Sequence, residues 1–447
     1  MLAKLKQITQ HSGFKKYFFN TSWGLIEKVF SIFSSVLVGI WVARYLEPEG
    51  YGIIGYASSL VGILMAFSTL GLNKILVRNL VKNKTERESL LGTSLFLQTM
   101  GSVFIMLVLS GYVMVANDSD LVKKVVIILG LRTFFQSFQI VDSYFQSEVK
   151  VKFVAMTNII TLGVIGIIKI TLILIEAPLL YFVYAMVLET VLAGFGFLYF
   201  YQRYTKKSFF SWKVDFTKAK ELLRDSWPLI LNGIIVSVYM RIDQVMLKNF
   251  IDEEAVGLYA AAARLSEAFY FLPVVVTNSL YPAIVNAKKK DNTLYYSRLQ
   301  SLYSLMVWCA LFIVIPIVFL NDFIINLLYG QDYAPAGEVL ALHAWTGIFV
   351  FLGVARGGWV ITENLQRYSS LYLSCGMIAN VVLNIILIPK YGIMGAACAT
   401  LVSQGVSVWI APLFFKPTRI CFYMITKALL LYPFILNLLS KDEKKAF

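Results

Sequence analysis

Five charged side chains stand inside long apolar runs: Arg132, Arg241, Asp243, Arg264 and Glu267. Arg241 and Asp243 lie in Tyr239-Met240-Arg241-Ile242-Asp243-Gln244-Val245-Met246-Leu247, within an otherwise apolar run over 227–250. After a short acidic turn, the next run carries Arg264 and Glu267 three residues apart. A lone charge at the centre of a hydrocarbon layer costs about 3 kcal/mol on insertion scales, so it is kept where it pairs or meets water. At 1.5 Å per residue, the three arginines sit about 13–17 Å below the outer ends of their runs, near mid-membrane. Each arginine is either neutralised by a neighbour or turned toward a wet cavity. Arg264 and Glu267, three apart, share a helix face and can pair. Arg241 and Asp243, two apart, diverge by about 200°, and Arg132 has no neighbouring acid. A water-filled cavity with a basic patch suits phosphate or carboxylate, because the Arg guanidinium is a bidentate fork.

The elements that must hold these residues are membrane helices. The chain has 447 residues, a mean hydropathy of +0.70, 58% hydrophobic and 15% charged residues, which points to an all-α polytopic membrane protein. Twelve apolar runs are each long enough for a core of about 30 Å: 18–45, 51–77, 90–116, 121–145, 153–175, 179–200, 226–250, 255–285, 299–319, 337–360, 368–388 and 391–415. The longest polar stretch, 201–224, carries seven Lys and Arg and falls near the middle of the chain. The expected organisation is a basic arm over 1–17, a six-helix bundle over 18–200, a cytoplasmic linker over 201–224 and a second six-helix bundle over 225–415. The last part, 416–447, is an interfacial apolar segment with a charged tail.

Loop charges give the orientation. With the amino terminus inside, inner segments hold 24 Lys and Arg against five on the outer side. That bias, alternating at every loop, places both termini in the cytoplasm. The net charge of +14 is therefore topological, and nucleic acid is not an expected partner. The apolar stretch 420–439 contains Lys427 and Pro433. Crossing the membrane there would put Lys441, Lys444 and Lys445 outside, so an interfacial helix is expected instead.

Three outer turns share Gly, Tyr and small residues: Pro48-Glu49-Gly50-Tyr51-Gly52, Ala255-Val256-Gly257-Leu258-Tyr259, and Pro389-Lys390-Tyr391-Gly392-Ile393. Their positions before the second and eighth runs predict an internal six-plus-six repeat, with the backbones in close approach. The remaining charges follow the same repeat. Glu27 and Lys28 stand in the first run and Lys74 near the end of the second. Asp142 shares the fourth with Arg132, while Glu338, His343, Arg356 and Glu363 fall in or beside the tenth. The third, ninth, eleventh and twelfth runs have none. Glu27, Lys28, Lys74, Asp243, Glu267, Arg356 and Glu363 are accordingly expected around a cavity. The acids Glu27, Asp243, Glu267 and Glu363 are candidates for coupling to H⁺ or Na⁺. His343 is either a proton site or a packed, hydrogen-bonded histidine. Lys169 and Glu189 can pair with each other.

Cys309, Cys375, Cys398 and Cys421 have no metal-like spacing, and no metal or other cofactor is expected. There is no Walker loop, dinucleotide glycine pattern, zinc-protease motif or nucleophile context. These absences disfavour an ATP-driven pump and an enzyme.

The chain resembles the polysaccharide transporter family of bacterial O-antigen and exopolysaccharide flippases, relatives of the multidrug and toxin extrusion fold. The resemblance runs over about 14–415. It rests on Leu46-Glu47-Pro48-Glu49-Gly50-Tyr51-Gly52, on Arg241-Ile242-Asp243-Gln244-Val245-Met246-Leu247 with Val256-Gly257-Leu258-Tyr259-Ala260, on Leu280-Tyr281-Pro282-Ala283, and on Pro389-Lys390-Tyr391-Gly392-Ile393-Met394-Gly395-Ala396-Ala397. It implies two six-helix bundles in a V-shaped, alternating-access arrangement with a cationic central cavity. It further implies an undecaprenyl-pyrophosphate-linked oligosaccharide moved from the inner to the outer leaflet of the plasma membrane. The family's basic cavity positions fall on Arg241 and Arg264, and its frequent acidic position falls on Asp243. Relatives that flip the peptidoglycan precursor usually have fourteen spans, two more than are counted here.

A lipid-linked oligosaccharide flippase is the expected function, with Arg241, Arg264 and Arg132 contacting the pyrophosphate while the polyprenyl tail stays in lipid. Its expected partners are membrane lipids, a polysaccharide polymerase and glycosyltransferases. A drug-cation antiporter on the same architecture would want uncompensated acids where this chain has arginines. A non-transporting scaffold for glycan assembly would close the cavity and pair the buried charges.

Overall fold

The computed structural model describes residues 12–430, with the backbone alone for 12–19 and 21. Residues 1–11 of the arm lie outside the described residues, as do 431–447, which hold the second half of the apolar stretch 420–439, expected as an interfacial helix, and the charged tail. Among the described residues all regular structure is helical. The first half comprises α1 (Ser12–Thr69), α2 (Leu72–Lys82), α3 (Arg87–Val115), α4 (Asp120–Gly130), α5 (Arg132–Gln136), α6 (Ile140–Ser147), α7 (Val151–Leu174) and α8 (Leu179–Thr205). Then come α9 (Phe216–Phe250), α10 (Glu253–Glu267), α11 (Leu272–Lys288), α12 (Asn292–Leu328), α13 (Ala336–Ala344), α14 (Thr346–Thr362), α15 (Gln366–Gly405) and α16 (Arg419–Leu429).

Ten helical stretches among the described residues are long and apolar enough to cross a membrane, which makes this a multi-pass membrane protein. Two of them are far longer than one crossing needs: Ser22–Lys82 with 61 residues and Gln366–Phe414 with 49. Sixty-one residues at 1.5 Å each would extend about 90 Å, three times the thickness of the hydrocarbon core. Both are broken part-way by a residue with positive φ and non-helical ψ. In α1 this is Glu47 (φ 58°, ψ 173°), followed by Pro48; in α15 it is Gly392 (φ 57°, ψ −135°), three residues after Pro389.

The chain forms two compact units. Among the described residues, the first contains 12–46 and Ile53–Ser237; the second contains Glu47–Gly52 and 238–430. In the first, Leu76, Leu91, Ile140, Phe145, Phe197 and Tyr201 form a buried core. In the second, Leu299, Tyr303, Met306, Leu352, Trp359 and Ile425 do so. The division falls inside α9 rather than in the basic stretch 201–224, and the reason is visible in the hydrogen bonds. That stretch is tied down onto the first unit: Lys213 N donates to Glu88 O (3.3 Å), Asp215 N to Thr93 Oγ1 (3.0 Å) and Trp212 Nε1 to Tyr201 OH (3.0 Å). Lys207 pairs with Glu88, and Lys218 with Glu86 at 3.1 Å.

At the other end, α16 does not lie apart from the second unit. Its Cys421, Met424, Ile425 and Ala428 belong to that unit's core, and Gln300 Nε2 donates to Met424 O (3.1 Å). Lys169 and Glu189 pair at 3.5 Å across α7 and α8.

Candidate functional site

The site is built on α9 and α10. Asp252 caps α10 by accepting a hydrogen bond from Ala255 N (2.8 Å), and Glu253 and Glu254 in its first turn suit the positive end of the helix dipole. The run Ala260-Ala261-Ala262-Ala263 that follows is buried, so this helix is held close to its neighbours. It stops at Glu267; Ala268–Phe271 is an irregular turn, and Pro273 lies at the start of α11.

Asp243 on α9 is 4% exposed and accepts three hydrogen bonds. Tyr259 OH donates at 2.8 Å, Thr400 Oγ1 at 2.6 Å and Asn384 Nδ2 at 2.6 Å. Asn384 Nδ2 also donates to Asn380 Oδ1 (3.2 Å). A buried carboxylate is tolerated only with such donors, because stripping it of water is otherwise prohibitive. The partners come from α10 and α15, and all belong to the second unit. Two atoms of the cluster, Asn384 Oδ1 and Asn380 Nδ2, are buried with no hydrogen-bond partner among the described residues. The first is an acceptor that a cation or a donor can meet; the second is a donor that a cation cannot.

Arg241 and Glu267 are both exposed, and opposite charge draws them together; Arg264 attracts Glu267 as well. Arg264 also reaches outward, where its Nη1 donates to Tyr51 OH (3.2 Å) and the buried Tyr329 lies within electrostatic range. The second unit thus brings Arg241, Asp243, Arg264 and Glu267 into one neighbourhood. His343 sits beside them as a packed histidine: 3% exposed, its Nδ1 is 2.6 Å from Ser266 Oγ, and its ring meets Tyr259 edge-on at 5.8 Å.

Other expected site residues lie elsewhere. Arg356 is 5% exposed, donates from Nη1 to the carbonyls of Ser407 and Val408 (both 2.9 Å) and stacks on Tyr372 at 4.7 Å. It braces the π-helical turn Val406–Ile410. Glu363 pairs with Lys288 at 2.8 Å, at the ends of α14 and α11. In the first unit, Glu27 accepts from Asn158 Nδ2 (3.1 Å) and lies in electrostatic range of Asp142, while Lys28 and Lys74 are exposed. Arg132 is half-buried at the start of α5, just after a break in the fourth apolar run. That break has a counterpart. Thr133 Oγ1 donates to Gly130 O (2.8 Å), and Thr346 Oγ1, at the start of α14, donates to His343 O (2.7 Å).

The residues missed from sequence are Tyr259, Asn380, Asn384 and Thr400. A signal was present: Asn380 and Asn384, four apart in an apolar run, share one helix face.

Comparison with known proteins agrees with this architecture. The chain is 20% identical over 409 residues to the capsular polysaccharide biosynthesis protein CapF of Staphylococcus aureus, covering 89% of this chain and 98% of that one. It is 25% identical over 199 residues to the probable low-salt glycan biosynthesis flippase Agl15 of Haloferax volcanii, covering 44% and 42%. Among solved structures, it is similar to the lipid II flippase MurJ in an inward closed conformation, with a TM-score of 0.72 at 17% identity, over 94% of this chain and 93% of that one. It is also similar to an inward-facing multidrug resistance MATE family transporter, with a TM-score of 0.71 at 13% identity, over 90% and 96%. At those identities the structural likeness shows the fold alone. A family model described as polysaccharide biosynthesis protein matches residues 15–288, more than half of the sequence, and the chain belongs to that family.

Proposed function

We propose that this protein is a flippase for a lipid-linked glycan, carrying an oligosaccharide on undecaprenyl pyrophosphate from the inner to the outer leaflet of a bacterial plasma membrane. One observation carries the proposal: Arg241, exposed on α9, shares its neighbourhood with Arg264 and Glu267 in a member of the polysaccharide biosynthesis family. Two guanidiniums at mid-membrane depth suit a pyrophosphate that must cross a layer where it has no water. Arg132 is a further anion contact in this scheme. The names of CapF and Agl15 point the same way.

The membrane organisation we propose is twelve crossings in two six-helix halves, both termini cytoplasmic, working by alternating access. The two long helical stretches, broken at Glu47 and Gly392, each count as two crossings, which turns ten stretches into twelve. The paired Thr133 and Thr346 bonds at broken helices support the internal repeat. A polymerase and glycosyltransferases are the partners such an activity would serve.

Energy enters at Asp243 in this scheme. Its carboxylate, the Asn380 and Asn384 amide oxygens and the Thr400 and Tyr259 hydroxyls suit a monovalent ion, Na⁺ or H⁺. One elementary charge crossing 100 mV is worth about 2.3 kcal/mol, enough to bias a transport cycle about fiftyfold.

The test is reconstitution. Proteoliposomes holding the full chain should move a polyprenyl-pyrophosphate oligosaccharide between leaflets, and should not extrude organic cations. Extrusion of cations with no movement of the glycan lipid would replace this function with drug antiport.

A further inference from the structure

The turn 47–52 interrupts α1, yet it belongs to the second unit. Glu47 opens it with φ 58° and ψ 173°, a backbone state that residues other than glycine seldom hold. Such strain persists only where the surrounding structure enforces it, and it gathers where a side chain has a task. The turn is fixed to α10 through backbone: a Cβ on Gly52 would overlap the Glu253 carbonyl, and one on Gly257 the Pro48 carbonyl. Between those contacts the turn delivers Tyr51, which is 8% exposed and accepts a hydrogen bond from Arg264 Nη1 (3.2 Å).

That bond adds little to docking the turn, which the backbone approach and the buried ring already hold. Its effect falls on the more flexible partner. An arginine side chain is long and mobile, and ordering it on binding an anion costs free energy that a prior hydrogen bond removes. Glu267 follows Arg264 by three residues on the same helix face, so a guanidinium released from Tyr51 would turn to that carboxylate. With the bond in place, Glu267 is drawn more to Arg241 than to Arg264. The buried Tyr329 lies in electrostatic range of both Tyr51 and Arg264, and a hydrogen bond walled off from water in this way is strengthened.

We propose that Tyr51 is a positioning residue for Arg264: it holds the guanidinium off Glu267 and presents it to the pyrophosphate. The proposal rests on the glycan-flippase function and adds to its site a residue that acts through Arg264. It also gives the turn Pro48-Glu49-Gly50-Tyr51-Gly52 a role. A short piece of the first helix is built into the second unit because it carries the hydroxyl that Arg264 needs.

The test measures the affinity of the purified full chain in nanodiscs for inorganic pyrophosphate, with Tm read alongside. Tyr51→Phe, which removes only the hydroxyl, should bind about 3- to 10-fold more weakly than wild type. In the Arg264→Ala background the same change should leave the affinity unmoved. Glu267→Gln should improve the affinity more in Tyr51→Phe than in wild type, since it removes the carboxylate that captures the guanidinium. Wild-type affinity in Tyr51→Phe, whatever its Tm, would overturn the proposal. So would an equal loss from Tyr51→Phe with and without Arg264, an equal gain from Glu267→Gln in both backgrounds, or no binding of pyrophosphate by wild type. Binding needs no translocation, so a chain that shows the expected pattern but moves no glycan lipid loses only the flippase function. If wild type moves the lipid and Tyr51→Phe binds pyrophosphate as tightly, only the positioning role falls.

Discussion

Gly52 and Gly257 meet backbone to backbone. A Cβ on Gly257 would overlap the carbonyl of Pro48 and come within 3.1 Å of Gly52 N; one on Gly52 would overlap the carbonyl of Glu253 and come within 2.9 Å of Gly257 N. The two turns that resemble each other in sequence are thus in mutual contact, and both belong to the second unit. Because the atoms met are backbone, no side-chain rotation can relieve the overlap. Gly52→Ala and Gly257→Ala should each destabilise the protein by about 1–3 kcal/mol, the usual result of overpacking. A lower Tm in detergent measures this, with Gly111→Ala, where a Cβ meets nothing within 4 Å, as the neutral control.

Arg356 should behave as a structural residue. Arg356→Met leaves the Ser407 and Val408 carbonyls without their donor, and charge-assisted bonds of this kind contribute about 1.5–3 kcal/mol each. The variant should unfold at lower temperature while the folded fraction binds a soluble pyrophosphate with unchanged affinity. Weakened binding at unchanged Tm would return Arg356 to the binding site.

Ion binding at Asp243 predicts a stability effect that needs no transport assay. An ion that binds only the native state stabilises it by about 2.7 kcal/mol at a hundredfold excess over Kd. Replacing choline with Na⁺ should raise the Tm of wild type and leave Asp243→Asn unmoved, if Na⁺ is the ion. If H⁺ is, the wild-type Tm should vary with pH in a way that Asp243→Asn abolishes. A Tm that responds identically in both proteins to Na⁺ and to pH would remove Asp243 from coupling.

The helical class and the charged neighbourhood were legible in the sequence for a simple reason: in lipid, apolar runs and buried charges are the largest energies present. Arg241, Asp243, Arg264 and Glu267 stood out on that ground, and the structure gathers them. Arg356 stood out equally but turns inward to carbonyls, because charge in a sequence marks a need for partners without naming them. Asn380, Asn384, Thr400 and Tyr259 were missed because uncharged polar residues are common in membrane helices. Their meaning comes only from the carboxylate they surround. The hold of Glu88 and Thr93 on the basic stretch 201–224 was equally hidden, since part of it runs through the backbone atoms of Lys213 and Asp215 and the Lys207–Glu88 pair joins residues far apart in the chain.

Glu267 discriminates between two roles for Arg264. If Arg264 only neutralises it, the double variant Arg264→Ala, Glu267→Ala should recover the flipping that either single change loses. If Arg264 contacts the pyrophosphate, the double variant should flip no faster than Arg264→Ala. The hydrogen bond from Arg264 to Tyr51 and the attraction of Glu267 to Arg241 favour the second outcome. A leaflet-resolved assay on the three proteins at matched reconstitution levels reads the difference.

The basic contact to pyrophosphate is the central claim, and a leaflet-resolved flipping assay of Arg241→Ala and Arg264→Ala tests it most directly. Both proteins should insert normally, and a Tm read beside the flipping rate separates a lost pyrophosphate contact from the lost Arg264–Tyr51 hydrogen bond. Losing one charge-assisted contact of about 1.5–3 kcal/mol predicts flipping about 10- to 150-fold slower than wild type. Arg→Lys at either position should recover only part of the rate, because an ammonium lacks the planar fork. Wild-type rates in both alanine variants, in vesicles where wild type moves a polyprenyl-pyrophosphate oligosaccharide, would contradict the account.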